Sequence, residues 1–349
     1  MRSPTPLLVP ALLLAAACSK QEPLVLYCAA DQAHAQPILE EFTKRTGIPI
    51  DAKFDDEAAK TVGLVRRLME EKDHPRCDVF WNSEILHTIR LKDAGVLAPY
   101  KSPAAEGFPP EFVDPDGFWH AFAGRARVLI VNTNRVREEE RPKSLRDLLN
   151  DRWKGQIGLA RPLAGTALTH FAALYHVWGE DKMAAFCEDL LGNEPNLAAG
   201  NGPVASLVAA GHLVFGLTDS DDVREQVLSG KPVAPVYADE TEDGILVIPN
   251  TLALVAGGPH PDQGKKLIDY LLSPAVEKRL AESPSANIPL RPTVEAPEHV
   301  RSLESLHRME VDWVAVAHEF EARLETLKQT FSNGTGSSSE APPSAQPAR

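Results

Sequence analysis

The chain is short of positive charge. Its 36 Lys and Arg residues stand against 49 Asp and Glu, a formal net charge of −13 over 349 residues. A nucleic-acid partner needs a basic face, and this balance argues against one. The acidic excess keeps a chain soluble and is compatible with a cationic ligand. Cysteine is scarce as well. Its four positions, 18, 28, 77 and 187, fit no zinc-ligand spacing. After the first 18 residues there is no apolar run of about 18, the length a membrane-crossing helix needs. HExxH, GxSxG, a Walker loop and GxGxxG are all missing, and no internal repeat is visible. Paired carboxylates together with His34, His170 or His212 leave acid–base chemistry as the rival reading, that of an exported carboxylate-based hydrolase. The missing motifs favour a protein that performs no chemistry.

What is present is ordinary for a soluble globular protein: 43% hydrophobic and 24% charged residues, and length enough for two domains. The beginning is different in kind. Arg2 precedes a short apolar stretch from Leu7 to Ala17, which ends in small residues directly before Cys18. This resembles a bacterial lipoprotein signal, which implies export and lipid attachment at Cys18. The position three before the cysteine is usually Leu and here is Ala15, so plain cleavage at an A-x-A site stays open. With Cys18 set aside, Cys28 and Cys77 fall at opposite ends of neighbouring strands, out of disulfide reach. With Cys187 they read as buried small hydrophobes. Residues 331–349 are rich in Ser, Pro, Gly and Ala, and the expectation there is a disordered tail.

Between these ends the pattern alternates. Pro23 to Ala29 is a continuous apolar run that reads as a buried strand. Ile38, Leu39 and Phe42 then fall at helical spacing, Ile48 to Phe54 reads as a strand, and Val62 to Met69 shows an amphipathic helix. Cys77 to Trp81 reads as a third strand, followed by a helix closed at Gly95. A second series runs from the Arg127–Val131 strand through helices at Thr166–Trp178, Asp181–Leu191, Pro203–Ala210 and Asp221–Leu228. A strand-like stretch at Gly244–Val255 and helices at Asp262–Leu272, Pro274–Glu282 and Val311–Thr330 follow. Such alternation predicts parallel, doubly wound α/β units.

Landmarks in a fixed order sharpen this reading: LVLYCAADQAHAQPILEEFTKRTGI, CDVFWNSEILHTIRLKDAGVLAPY, RARVLIVNTNRV, SLRDLLNDRWKGQIGLARPLAGTA, GNGPVASLVAAGHLVFGLTDSDDV and GILVIPNTLALVAGGPHPDQGKKLIDYLLSP. In this order they resemble the periplasmic solute-binding proteins of the ferric-iron, thiamine and polyamine group, the receptors of ABC importers. The resemblance covers about residues 23–330. It implies two α/β lobes, residues 23–124 plus 250–330 and residues 125–249, joined by two crossing strands. It further implies a ligand trapped between the lobes by hinge closure, an ABC permease and ATPase as partners, and a monomeric receptor in the periplasm. A ligand sensor that signals to a membrane partner is the third reading.

The loops after the strands supply the candidate ligand residues, because α/β sheets bind beyond the carboxyl ends of their strands. On the first lobe these are Asp31 and Gln32, Asp56 and Glu57, and Trp81, Asn82 and Glu84. On the second they are Gly165, Thr166 and Ala167, then Asn201 and Gly202, then Thr218, Asp219, Ser220, Asp221 and Asp222. Asp31 also reads as a helix cap, Trp81 as core, and Asp56 and Glu57 as first-turn charges. Gly165–Ala167 at a helix start suits an anion. The Asp219, Asp221 and Asp222 carboxylates repel one another unless a cation sits between them. The resemblance implies that the paired tyrosines of ferric-ion receptors fall on Asp221 and Asp222, their His near Asp31 and their Glu near Glu57. The phenolates that favour Fe(III) are therefore missing. Two ligands remain open: a hard metal ion held by Asp31, Glu57, Asp221 and Asp222 with an anion at Thr166, or an organic cation such as a polyamine or a thiamine-like ring stacked on Trp81.

Overall fold

The computed structural model describes residues 22–55, 61–239 and 242–332. Cys18, Asp56, Glu57 and the tail from 333 onward lie outside them. The first lobe opens with β1 (Leu24–Cys28), α1 (Gln32–Thr46), β2 (Ile50–Phe54), α2 (Val62–Glu70), β3 (Val79–Asn82), α3 (Leu86–Asp93) and β4 (Leu97–Ala98). β5 (His120–Asn132) leads to the second lobe: β6 (Ile157–Ala160), α4 (Gly165–Trp178), α5 (Glu180–Gly192), β7 (Asn196–Ala198), α6 (Asn201–Ala209), β8 (Phe215–Asp219), α7 (Ser220–Leu228) and β9 (Val233–Val236). β10 (Val247–Val255) returns, and α8 (Pro261–Leu271), α9 (Pro274–Glu282), α10 (Trp313–His318) and α11 (Phe320–Ser332) complete the described residues.

The strands run in the order β2-β1-β3-β10-β5-β8-β6-β7. β1 pairs in parallel with β2 and β3, and β6 in parallel with β7 and β8. These are the two doubly wound units the alternation predicts. They meet on β5, where His120–Ala126 pairs with β10 and Arg127–Val131 with β8. β5 is buried along its whole length, as a strand with neighbours on both edges and helices on its faces must be. Sequence reading finds only its second half, because His120, Gly124 and Arg125 interrupt the apolar run before Arg127. The single helix expected at Val311–Thr330 is divided into α10 and α11 at Glu319. Cys28, Cys77 and Cys187 are buried free thiols.

Close packing sets α6 on the second sheet. A β-carbon on Gly216 would lie 2.6 Å from Val204 Cγ1 and 2.8 Å from the Gly158 carbonyl oxygen. The latter is backbone and cannot yield by a rotamer change. Gly216→Ala is therefore expected to lower stability by about 1–3 kcal/mol, the usual cost of overpacking, as measured by urea denaturation.

The lobes are also tied through side chains. α10 packs against both α3 and α4, and α11 against α4. His87 meets Phe320 edge-on at 4.8 Å, and Phe171 meets Phe331 at 5.6 Å. The C-terminal helices thus span elements of both lobes.

Candidate functional site

β8 ends at Asp219, and α7 begins at Ser220, so the chain leaves the sheet where three acidic side chains follow in quick succession. Asp219 is 3% exposed, and isolated burial of a carboxylate is costly. Its partner lies on β5: Arg127 Nη1 donates to Asp219 Oδ1 at 2.6 Å. The other oxygen accepts from Thr166 Oγ1 at 2.5 Å and from Asn201 Nδ2 at 3.1 Å. Asn201 Nδ2 also reaches Thr166 Oγ1 at 2.7 Å. Asp219 therefore joins β5, α4, α6 and α7 in one polar knot.

Asp222 accepts from Thr218 Oγ1 at 2.7 Å and from the Asp219 N–H at 3.3 Å, closing the first turn of α7. Asp221 Oδ2 lies 3.6 Å from Arg125 Nη1. Arg125 is buried, and its Nη2 donates to Asn250 Oδ1 at 3.3 Å. Burial works against its charge, but the carboxylates of Asp221, Asp219, Asp31 and Asp222 outweigh that and hold its pKa above the ordinary value. One oxygen from each of Asp219, Asp221 and Asp222 falls within a 4.8 Å sphere of mutual distance, close enough to share a cation.

These groups line a cleft of about 60 Å³ between the lobes. Asp31 and Ser83 come from the first lobe, Arg125 from β5, and Arg161, the start of α4 and the start of α6 from the second lobe. Gly165 opens α4 at φ 56°, a left-handed conformation that glycine adopts without strain. The first turns of α4 and α6 carry N–H groups without intrahelical acceptors and the positive ends of two helix dipoles. The cleft thus gathers carboxylates, two helix starts and the guanidiniums of Arg125 and Arg161 around one space.

Sequence reading places Asp31, Gly165, Thr166, Ala167, Asn201, Asp219, Asp221 and Asp222 here, and all of them line this cleft. Seven candidates among the described residues do not: Gly202 and Ser220 fall outside the lining, Ser220 bordering a separate crevice, and five others lie elsewhere. Gln32 is exposed and borders a separate surface crevice with Gln36 and Phe54. Trp81 is 1% exposed and packs on Phe122 at 5.4 Å, so it offers no face for stacking. Its strand lies between β1 and β10, which turns the ring into the core. Asn82 is fully buried and bonded to Thr61, Glu84 and Thr88. Thr218 lies behind the cleft as a hydrogen-bond donor to Asp222.

Glu84 is the fifth. It is fully buried and accepts from the backbone N–H groups of Leu86 and His87, from Asn82 Nδ2 and, across the lobes, from Thr169 Oγ1 on α4 at 3.1 Å. His87 Nδ1 lies 2.8 Å away. Burial opposes its charge, yet His87 and Asn82 hold its pKa below the ordinary range. Glu84 is a joint between lobes rather than a cleft group.

The cationic half escaped sequence reading. Arg125, Arg127 and Arg161 were not among the candidates, although a signal exists: Arg125 and Arg127 stand two apart on a strand, and Arg161 directly follows another strand end. A charged residue inside a strand buried on both faces requires a counter-charge.

Arg127 also meets His170, whose Nδ1 lies 3.3 Å from Arg127 Nε. Burial and the Arg127 charge push the His170 pKa well below its ordinary value. Burial lowers that of His120 as well. Both imidazoles take a proton less readily in the fold than in the unfolded chain, so below about pH 6.5 the unfolded chain binds more protons. Stability should be complete above that pH and decline as pH falls toward 5. His170→Gln should flatten part of the decline in urea titrations between pH 7 and 5.

Two α/β lobes sharing a long strand, with a polar cleft between them, define a two-lobe solute-binding protein. The chain belongs to the bacterial extracellular solute-binding proteins, whose sequence profile matches residues 88–314. It is 24% identical to the major ferric iron-binding protein of Neisseria meningitidis serogroup B over 320 residues, covering 88% of this chain and 94% of that one. It is 27% identical to a putative 2-aminoethylphosphonate-binding periplasmic protein of Salmonella typhi over 305 residues, 84% and 86% of the two chains. The ferric binding protein from Campylobacter jejuni superposes with a TM-score of 0.80 at 22% identity, covering 88% of this chain and 99% of its own.

Proposed function

We propose that this protein is the extracytoplasmic receptor of an ABC importer and captures a metal ion together with a small anion. The observation that carries this reading is the coexistence, in one small cleft, of the Asp219–Asp221–Asp222 oxygens and two helix starts beside Arg161. Asp31, Asp221 and Asp222 would supply hard oxygen ligands. Asp219 is engaged by Arg127 and is better suited to hold the framework. The first turns of α4 and α6 would take the anion. The iron-binding name of the Neisseria relative supports the metal. Glu57 falls outside the described residues, and its part in the metal site rests on the resemblance alone.

A second reading has its own observation. Arg125 already places a positive charge 3.6 Å from Asp221, where a bare metal ion would be repelled. A single zwitterion, with an ammonium at Asp31 and Asp222 and a phosphonate or phosphate at Arg161, would meet both halves of the cleft. The aminoethylphosphonate-binding name of the Salmonella relative is consistent with such a ligand.

Ligand contacts from both lobes exist together only when the cleft is closed, so ligand shifts the population toward closure. In this proposal the hinge is the β5–β10 pair, with boundaries near residues 124 and 250, and the permease reads the closed lobe surfaces. The protein is a periplasmic monomer held at the membrane by lipid on Cys18. Thermal-shift screening of the purified chain against Fe(III), Mn(II), Zn(II), phosphate, polyamines, thiamine and aminoethylphosphonate tests the ligand. A shift with a metal that grows when phosphate is added supports the first reading. A shift with aminoethylphosphonate alone supports the second. No response to either class removes both. Bound iron should lack the intense visible band of a tyrosinate complex, since no tyrosine is among the described residues that line the cleft.

A further inference from the structure

Behind the first turn of α7 lies a second crevice, of about 160 Å³. Its walls come from both lobes: Val223 and Val227 of α7 and Tyr237 after β9 on one side, Ile288 and Val300 on the other. Ile288 is tied to the first half of β5, where its N–H and carbonyl both pair with Gly124. A lone apolar groove says nothing about its occupant, but this one is charged in a particular way. Arg224 and His299 line it, and among the described residues no Asp or Glu does, in a chain whose net charge is −13. The Arg301 guanidinium sits 4.9 Å over the Tyr237 ring at its edge. Arg224 Nε is buried and has no hydrogen-bond partner among the described residues, so nothing described offsets the charge of this guanidinium at that atom. Ser220 also lines the crevice; its oxygen accepts the Ala126 N–H at 3.1 Å, which leaves its own proton to donate.

We infer that this crevice is a second ligand site for a small apolar monocarboxylate. The apolar walls take the hydrocarbon body, and Arg224 with Ser220 takes the carboxylate. The space matches the size: an apolar cavity of roughly 150 Å³ accepts a benzene ring. The site is separate from the cleft, because Ser220 lines this crevice while Asp219, Asp221 and Asp222 line the other. An occupant would touch both lobes beside the hinge strand and so bias their relative position, and any effect on the affinity of the cleft must be returned in equal measure.

Benzoate is the probe and benzamide its uncharged counterpart. In calorimetric titration of the purified chain, benzoate should bind saturably and at least tenfold more tightly than benzamide. Arg224→Gln should weaken benzoate at least tenfold, Arg224→Lys should retain most of the binding, and Arg161→Gln in the main cleft should leave it unchanged. Equal binding of benzoate and benzamide, indifference to Arg224→Gln, loss on Arg161→Gln, or no saturable heat at millimolar benzoate would each overturn the assignment.

Discussion

Replacing Arg127 by methionine should destabilise the fold by about 3–5 kcal/mol, the cost of stripping the partner from a buried charge. The side chains of Arg127 and Asp219 are 1% and 4% exposed, and their 2.6 Å contact is shielded from water. Methionine fills much of the vacated volume, so the loss reflects electrostatics more than a cavity. Asp219 would keep Thr166 and Asn201 as donors, but neither carries charge. Asp219→Asn in the same chain should recover a large part of the loss, since the amide needs no counter-ion. A double-mutant cycle by urea denaturation measures this coupling. Near-additive losses would mean that the two groups do not depend on each other, and that the order of the α4, α6 and α7 starts has another origin.

The double substitution Asp221→Asn with Asp222→Asn should remove most of the ligand-induced stabilisation while leaving the fold intact. A ligand present at about 100 times its dissociation constant stabilises a receptor by about 2.7 kcal/mol. Removing two cleft carboxylates should weaken a cationic ligand about 100-fold or more, which cuts that effect to about 0.4 kcal/mol or less. The variant needs its own ligand-free reference, because Arg125 depends in part on Asp221. Asp222 contributes through Thr218 and the α7 first turn, and an asparagine oxygen can still accept there. An unchanged shift would exclude both residues from contact with the ligand.

Half of the cleft was legible before the structure. Carboxylates at strand ends, and a glycine followed by threonine at a helix start, are local features whose chemistry is readable in place. Asp31, Thr166, Asp219, Asp221 and Asp222 are legible in this way. Trp81, Asn82 and Glu84 sit just as plausibly at a strand end, and periodicity does not distinguish a side chain aimed at the cleft from one aimed under the neighbouring strand. The arginines show the converse. Arg127 belongs with Asp219, 92 positions away, and Glu84 with Thr169, 85 positions away. Neither pairing has a sequence signature.

By itself the sequence determined the α/β class, the order of the elements and the acidic rim. Those follow from hydrophobic periodicity, helix starts and local charge, all of which act within a few residues. Only the tertiary structure decided that β5 serves both sheets, that two arginines on it meet the acidic rim, and that Glu84 is a joint between lobes. Buried charge is tolerated only where a counter-charge is brought to it, and which groups meet depends on how distant strands are laid side by side.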